Sequence, residues 1–279
     1  MLRADALATL YLFHPLRKLV SRPEERLPIL MYHSISASND GHTHPYYRTV
    51  TTPQVFERHM KFLHDNGYSG VRVSDAVSRS GKPGQASGQL VAITFDDGYR
   101  DFYSEAFPVL RKYGFSATMY LPTAYIERFP QAFKGIECLT WNQVRELRSA
   151  GIEFGSHTVT HPQLKSLGNN EIAYELGTSK DMIEQELGCA VKSFAYPYSF
   201  PETDRPFAAK VRRMIGEAGY ENSVSTIIGT ANRTGSRFFM KRLPVNSCDD
   251  TRLFTAKLDG SYDWLHAVQY AFKLVASRH

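Results

Sequence analysis

Leu90-Val91-Ala92-Ile93-Thr94-Phe95-Asp96-Asp97-Gly98 is the stretch on which the fold turns. Its first six residues are almost all apolar and show no polar alternation. They are long enough for a strand and too short for a helix, so they read as a strand buried on both faces. The strand runs straight into two carboxylates and a glycine. Leu27 to His33 (LPILMYH) repeats the pattern and ends on a histidine. Further strand candidates are Gly70 to Val73, Ser116 to Leu121, Ile152 to Phe154, Ser193 to Tyr196, Glu221 to Ser225 and Arg242 to Val245. Helices read between them. Thr52-Pro53 starts one that Gly67 stops, another stops at Gly114 and is interrupted or begun anew at Pro108, and Thr140 caps Trp141 to Ala150. Asn170 to Leu187 is amphipathic and stopped by Gly188, and Phe207 to Ala218 precedes Gly219. This alternation predicts an α/β protein with a parallel sheet, and the number of units favours a barrel of seven or eight strands. Residues just past the strand ends then collect at one rim.

The chain has 279 residues, 42% hydrophobic and 13% aromatic, which excludes a disordered chain and fits one large domain. The expected division is an N-terminal helical segment over 1–26, a barrel over 27–248 and a C-terminal helical segment over 249–279. A net charge of +5 and a pI near 9.0 come from Lys and Arg scattered among acids, which argues against a nucleic-acid partner. Cys138, Cys189 and Cys248 are too few and too widely spaced for a disulfide framework or a thiolate zinc site. Ala6 to Phe13 is apolar but too short to span a bilayer, and Asp5 spoils it as a signal peptide. It reads as a helix for peripheral membrane contact or for docking on the barrel, so the expected location is cytoplasmic or peripheral to a membrane. The last helix, Trp264 to Val275, has an apolar face and basic ends, and could join it in a membrane-facing patch.

The chemistry sits at strand ends. Gly155-Ser156-His157-Thr158-Val159-Thr160-His161 places two imidazoles four residues apart, facing one way if the segment makes a helical turn. With one carboxylate they form a two-histidine, one-carboxylate set that binds a divalent metal and leaves room for water and substrate. Asp96 and Asp97, adjacent at a strand end, should point apart, so that one ligates while the other stays free as a base. Asp-Asp-Gly alone is a common turn, and an isolated His-x3-His is more often a surface pair. Both after buried strands in one chain make the functional reading the stronger one. No Glu lies between His157 and His161, which excludes the metalloprotease built on His-Glu-x2-His.

These residues resemble the polysaccharide deacetylases with a NodB-type homology domain, carbohydrate esterase family 4. Thr94-Phe95-Asp96-Asp97-Gly98 is similar to the family's first motif and His157-Thr158-Val159-Thr160-His161 to its second. Phe194-Ala195-Tyr196-Pro197-Tyr198 looks like its third. The resemblance covers roughly residues 28 to 245. It implies a distorted (β/α)7 barrel, with Asp97, His157 and His161 on the metal and Asp96 as base. It also implies a backbone N–H near Tyr198, preceded by Pro197, as oxyanion donor. The family's third motif carries an Arg that braces the base; none stands in Lys192-Ser193-Phe194, and Arg242 is the substitute candidate. The usual C-terminal Leu-x-x-His acid is also missing. Met31-Tyr32-His33-Ser34 resembles the permuted branch of poly-N-acetylglucosamine deacetylases, which makes His33 the expected acid.

The expected function is metal-dependent hydrolysis of N-acetyl groups on an amino-sugar polymer or lipid-linked glycan. Zinc is the expected ion, with cobalt, nickel or iron as alternatives. An O-acetyl esterase or small-amide hydrolase on the same barrel is one competitor. A catalytically silent carbohydrate-binding protein is another, which the intact Asp-Asp and His pairs disfavour. His42 and His44, in a polar loop with Tyr46 and Tyr47, read as a solvated loop with a sugar groove as the alternative.

Overall fold

The computed structural model describes residues 3–17, 26–38, 43–79 and 89–276. Eight parallel strands follow one another along the chain: β1 (Ile29–Tyr32), β2 (Tyr68–Val71), β3 (Gln89–Phe95), β4 (Thr118–Leu121), β5 (Glu153–Ser156), β6 (Ser193–Ala195), β7 (Asn222–Ile228) and β8 (Met240–Pro244). Seven close a ring in the order β1, β8, β7, β6, β5, β4, β3 and back to β1. β1 completes it by pairing with β8 on one side, Leu243 opposite Leu30, and with β3 on the other, Ile29 opposite Ala92. β3 changes neighbours halfway along its length. Gln89 to Ala92 pair with β2, whereas Thr94 and Phe95 pair with β4. That switch inserts β2 as an eighth strand outside the ring and distorts the barrel.

The period of two along each strand sorts its side chains. Ile29, Ala92, Tyr120, Ala195, Val224 and Met240 form one buried cluster inside the ring. Leu30, Ile93, Met119, Phe194 and Leu243 face outward into the larger core under the helices. Because both faces are covered, the strands are apolar throughout, which is why they were legible. Gly155 is the exception that packing requires. A Cβ there would lie 2.6 Å from the Tyr120 ring and 2.7 Å from the Ser193 carbonyl oxygen.

The helices are α1 (Pro53–Asp65), α2 (Val73–Arg79), α3 (Phe107–Lys112), α4 (Trp141–Ser149), α5 (Asn169–Leu187), α6 (Arg205–Glu217), α7 (Thr251–Leu258) and α8 (Trp264–Ala276). Thr140 and Gln143 make a capping box for α4, and Gly188 ends α5 in the left-handed conformation. One expectation about these elements needs correction. Leu27 to His33 is not one strand: Pro28, which has no N–H to donate, splits Arg26–Leu27 from β1. The helix before Gly114 starts with a wider turn over Phe102–Ala106 and continues as α3 with Pro108 in its first turn. A hairpin of Ala132–Phe133 with Ile136–Glu137 went unread, since its strands are two residues each.

A helical run of Ala4–Ala8, Thr9–Phe13 and His14–Arg17 packs on the C-terminal helices. Phe13 stacks on Trp264 with centroids 4.7 Å apart, and Trp264 Nε1 donates to Thr9 Oγ1 at 3.0 Å. Among the described residues no helix is long and apolar enough to cross a membrane. Cys138, Cys189 and Cys248 are free thiols, as expected from their spacing.

Candidate metal centre and active site

The inward parity of β3 runs Ala92, Thr94, Asp96, so the first aspartate emerges over the barrel mouth. The same parity in β8 turns Arg242 inward after Met240. The two meet face to face. Arg242 Nη1 donates to Asp96 Oδ1 and Nη2 to Oδ2, both at 2.7 Å, while its remaining donors reach Ser225 O (2.9 Å) and Thr94 Oγ1 (3.2 Å). Arg242 is 0% exposed and Asp96 2%, so each buried charge depends on the other. Burial would raise the Asp96 carboxyl, but the Arg242 guanidinium, through its charge and its paired hydrogen bonds, outweighs it and holds the group well below the usual carboxylate range.

Asp97 does not point away from Asp96 by strand alternation, as expected. β3 ends at Phe95, and Asp97 itself takes φ 70°, followed by Gly98 at φ 65°. This tight turn brings both carboxylates over one pocket. Gly98 is needed twice, for its backbone angle and because a Cβ would press within 3.0 Å of Ile126. Asp97 Oδ2 accepts from Tyr99 OH at 3.0 Å and from Lys134 Nζ at 3.3 Å. Burial pushes its carboxyl up, but His33, His157, Lys134 and His161 together bring it below the ordinary value.

The His157 to His161 segment is not a helical turn either. It is an irregular loop in which Thr158 (φ 70°) and His161 (φ 57°) take left-handed angles. Thr158 Oγ1 accepts from His161 N at 3.0 Å. From α5, the buried Glu175 accepts from the backbone N–H groups of Val159 (2.7 Å) and Thr160 (3.0 Å) and from Thr160 Oγ1 (2.7 Å). The loop therefore presents both imidazoles to Asp97, their ring centroids 4.6 Å apart. Burial lowers the basicity of both rings. His161, with His157 beside it, is brought down to about 3. Both are thus neutral, with ring lone pairs to offer.

His33 stands between β1 and the short strand Ser34–Ile35, with Nε2 4.0 Å from Asp96 Oδ2 and its side chain half-buried. Pro197 is buried and Tyr198, at φ 56°, is exposed. The Tyr198 ring meets His161 edge-on at 4.5 Å, and its carbonyl accepts from Thr226 Oγ1 at 2.9 Å. His44 caps the turn Pro45–Tyr47, its Nδ1 accepting from Tyr46 N at 3.3 Å. His42 lies outside the described residues. Lys134, Tyr99 and Glu175 were missed. Glu175 had a signal, an acid set among Ile172, Leu176 and Ile183 on the buried stripe of α5. Lys134 had none, because only the unread hairpin carries it here.

Asp97, His157 and His161 are the one set of three such groups among the described residues whose ligating atoms lie within 4.8 Å of one another. Asp97 Oδ1 is 3.4 Å from His161 Nε2 and 3.7 Å from His157 Nε2. A tetrahedral ion with bonds of ~2.0–2.1 Å spaces its ligands by ~3.3–3.5 Å. Asp97 Oδ1 is buried without a hydrogen-bond partner among the described residues. His157 Nδ1 donates to Ala195 O at 2.8 Å, which fixes the tautomer and leaves Nε2 free to ligate. The residues fit a divalent cation.

The sequence model of the polysaccharide deacetylase family matches residues 84–223. A Bacillus subtilis protein named for the same family, YxkH, is 32% identical over 222 residues, 79% of this chain and 72% of that one. A poly-beta-1,6-N-acetyl-D-glucosamine N-deacetylase of Staphylococcus aureus is 24% identical over 182 residues, 61% of each chain, so this chain spans less than two thirds of it. Among solved structures, the Streptococcus pyogenes deacetylase PplD, in complex with acetate, shares the fold. It has a TM-score of 0.73 at 24% identity, over 84% of this chain and 98% of that one.

Proposed function

Since the chain belongs to the polysaccharide deacetylase family, we propose that it removes N-acetyl groups from an amino-sugar polysaccharide or lipid-linked glycan of the N-acetylglucosamine type, using a bound divalent ion. The observation that carries this reading is the juxtaposition at one barrel mouth of two unlike carboxylates. Asp97 faces two neutral imidazoles, while Asp96 is gripped by Arg242. The first arrangement suits a ligand and the second a base. Zinc is favoured by the ligand types, with cobalt, nickel and iron as alternatives.

Asp97, His157 and His161 would hold the ion, which supplies Lewis acidity and makes water a better acid. Asp96 takes the proton of the attacking water. Arg242 keeps it ionised and aimed, so the carboxylate loses no rotational freedom on the way to the transition state. Tyr198, its backbone fixed by Pro197 and by Thr226, offers its N–H to the developing oxyanion. His33, 4.0 Å from Asp96, protonates the departing amine. The wild-type protein should release acetate from N-acetylglucosamine oligomers, peptidoglycan or lipid-linked amino sugars. Release from O-acetyl esters alone would establish the esterase instead.

His33→Ala tests the acid. An amine leaves a tetrahedral intermediate readily only when protonated, whereas an activated ester needs little help. The variant should keep metal content and folding while losing ~10²-fold or more in amide turnover, with activated O-acetyl esters far less affected. Near-normal amide turnover would remove His33 from the mechanism.

A further inference from the structure

A short hairpin sets a cation against Asp97. Its strands, Ala132–Phe133 and Ile136–Glu137, are joined by Lys134 at φ 51° and Gly135 at φ 79°, a two-residue turn with both angles positive. Asn or Gly suits the first of these positions, and a lysine is held there at a steric cost. The hairpin is tied to the turn that carries Asp97. Leu139 N donates to Gly98 O at 2.9 Å and Arg100 N to Glu137 O at 2.8 Å, while the Phe133 ring packs on Tyr125 and His161 with centroids 4.4 and 5.1 Å away. The Lys134 ammonium is itself steadied by two rings, 4.5 Å from the Phe133 centroid and 5.5 Å from that of Tyr198. It stands as a placed charge at the mouth rather than as a free surface lysine.

Asp97 divides its two oxygens. Oδ1 faces His157 and His161 and has no hydrogen-bond partner among the described residues, whereas Oδ2 accepts from both Tyr99 OH and Lys134 Nζ. Tyr99 orients the carboxylate without adding charge. Lys134 adds a full positive charge, so the mouth sets two cations against its two carboxylates, Arg242 on Asp96 and Lys134 on Asp97, beside two neutral imidazoles. A divalent ion held by Asp97 is repelled by that ammonium, and the burial of Asp97 limits the screening. Sharing Oδ2 with an ammonium also makes Oδ1 a poorer donor. The ion then keeps more of its charge for a substrate carbonyl.

We propose that Lys134 is a positioning residue that acts through Asp97, lowering the affinity of the centre for a divalent ion and raising that ion's strength as a Lewis acid. The inference rests on Asp97 as a metal ligand, not on which acetylated substrate is cleaved. The test titrates Zn²⁺ into the full chain against a chromophoric chelator, and measures turnover at saturating Zn²⁺ on the acetylated substrate that the wild type cleaves. Lys134→Met should bind Zn²⁺ ~10-fold more tightly, by less in high salt, and turn over ~10-fold more slowly. Lys134→Arg, which keeps the charge, should stay close to wild type in both. Tyr99→Phe, which loses orientation without losing charge, should bind Zn²⁺ ~10-fold more weakly. A lysine that only supported the hairpin would leave the Met variant with equal or weaker binding, and either result overturns the proposal. Tighter binding with undiminished turnover overturns it as well. If His161→Ala binds Zn²⁺ as the wild type does, the ligand set is wrong and the proposal falls with it. A wild type that releases no acetate from amides leaves the Zn²⁺ titration unaffected, so the deacetylase reading fails separately.

Discussion

His157→Ala and His161→Ala are each expected to lose the bound divalent ion and the activity together. The set has one carboxylate and two imidazoles, and among the described residues no other three such groups bring their ligating atoms within 4.8 Å of one another; Asp96, 3.9 Å from His157 Nε2, is held by Arg242 instead. Lewis-acid stabilisation is worth several kcal/mol and each 1.36 kcal/mol is tenfold in rate, so turnover should fall by ~10³ or more. Folding should survive, since Glu175 and Thr158 hold the loop through backbone groups and Thr160; His157→Ala also loses the bond to Ala195 O and should melt lower than His161→Ala. The check is metal analysis of the purified variants alongside acetate release. Undiminished metal in both would sink the assignment, whatever the activity did.

Asp96→Asn should do the opposite to metal and nearly as much to rate. It leaves Asp97 and both imidazoles in place, so metal content is retained. It removes the proton acceptor, so turnover drops by ~10²–10⁴. A second effect comes from Arg242. Its guanidinium has no exposure and spends two of its donors on this carboxylate. Leaving a buried charge uncompensated costs about 3–5 kcal/mol at the upper end, and the amide keeps only one acceptor for the fork. A lower melting temperature is therefore expected, and metal content must be measured on folded protein. If Asp96→Asn and Asp97→Asn lose metal equally, the two roles have been divided wrongly.

Much of the barrel, and the place of several candidate site residues at its rim, were legible in the sequence, and for a common reason. A strand covered on both faces must be apolar throughout, so LVAITF announces itself without knowledge of its neighbours. Polar residues at the end of such a strand have to stand at the rim, which singled out Asp96, Asp97, His157 and His33. The local explanations were less reliable. Asp97 and His161 owe their directions to left-handed backbone angles. No periodicity, of strand or helix, encodes those angles.

What the sequence determined by itself was which residue types stand at which strand ends and at what spacing, because these depend on composition over a few consecutive residues. What only the tertiary structure decided was which groups share a charge or a donor across the ring. Arg242 and Asp96 are 146 positions apart and meet because β8 and β3 both border β1 and aim the same parity inward. Glu175 reaches the histidine loop only once α5 has folded back against β5, and Lys134 reaches Asp97 only from a hairpin of two-residue strands. Such pairings depend on ring closure and strand register. Those are set by the packing of the whole core, so no local stretch of sequence carries them.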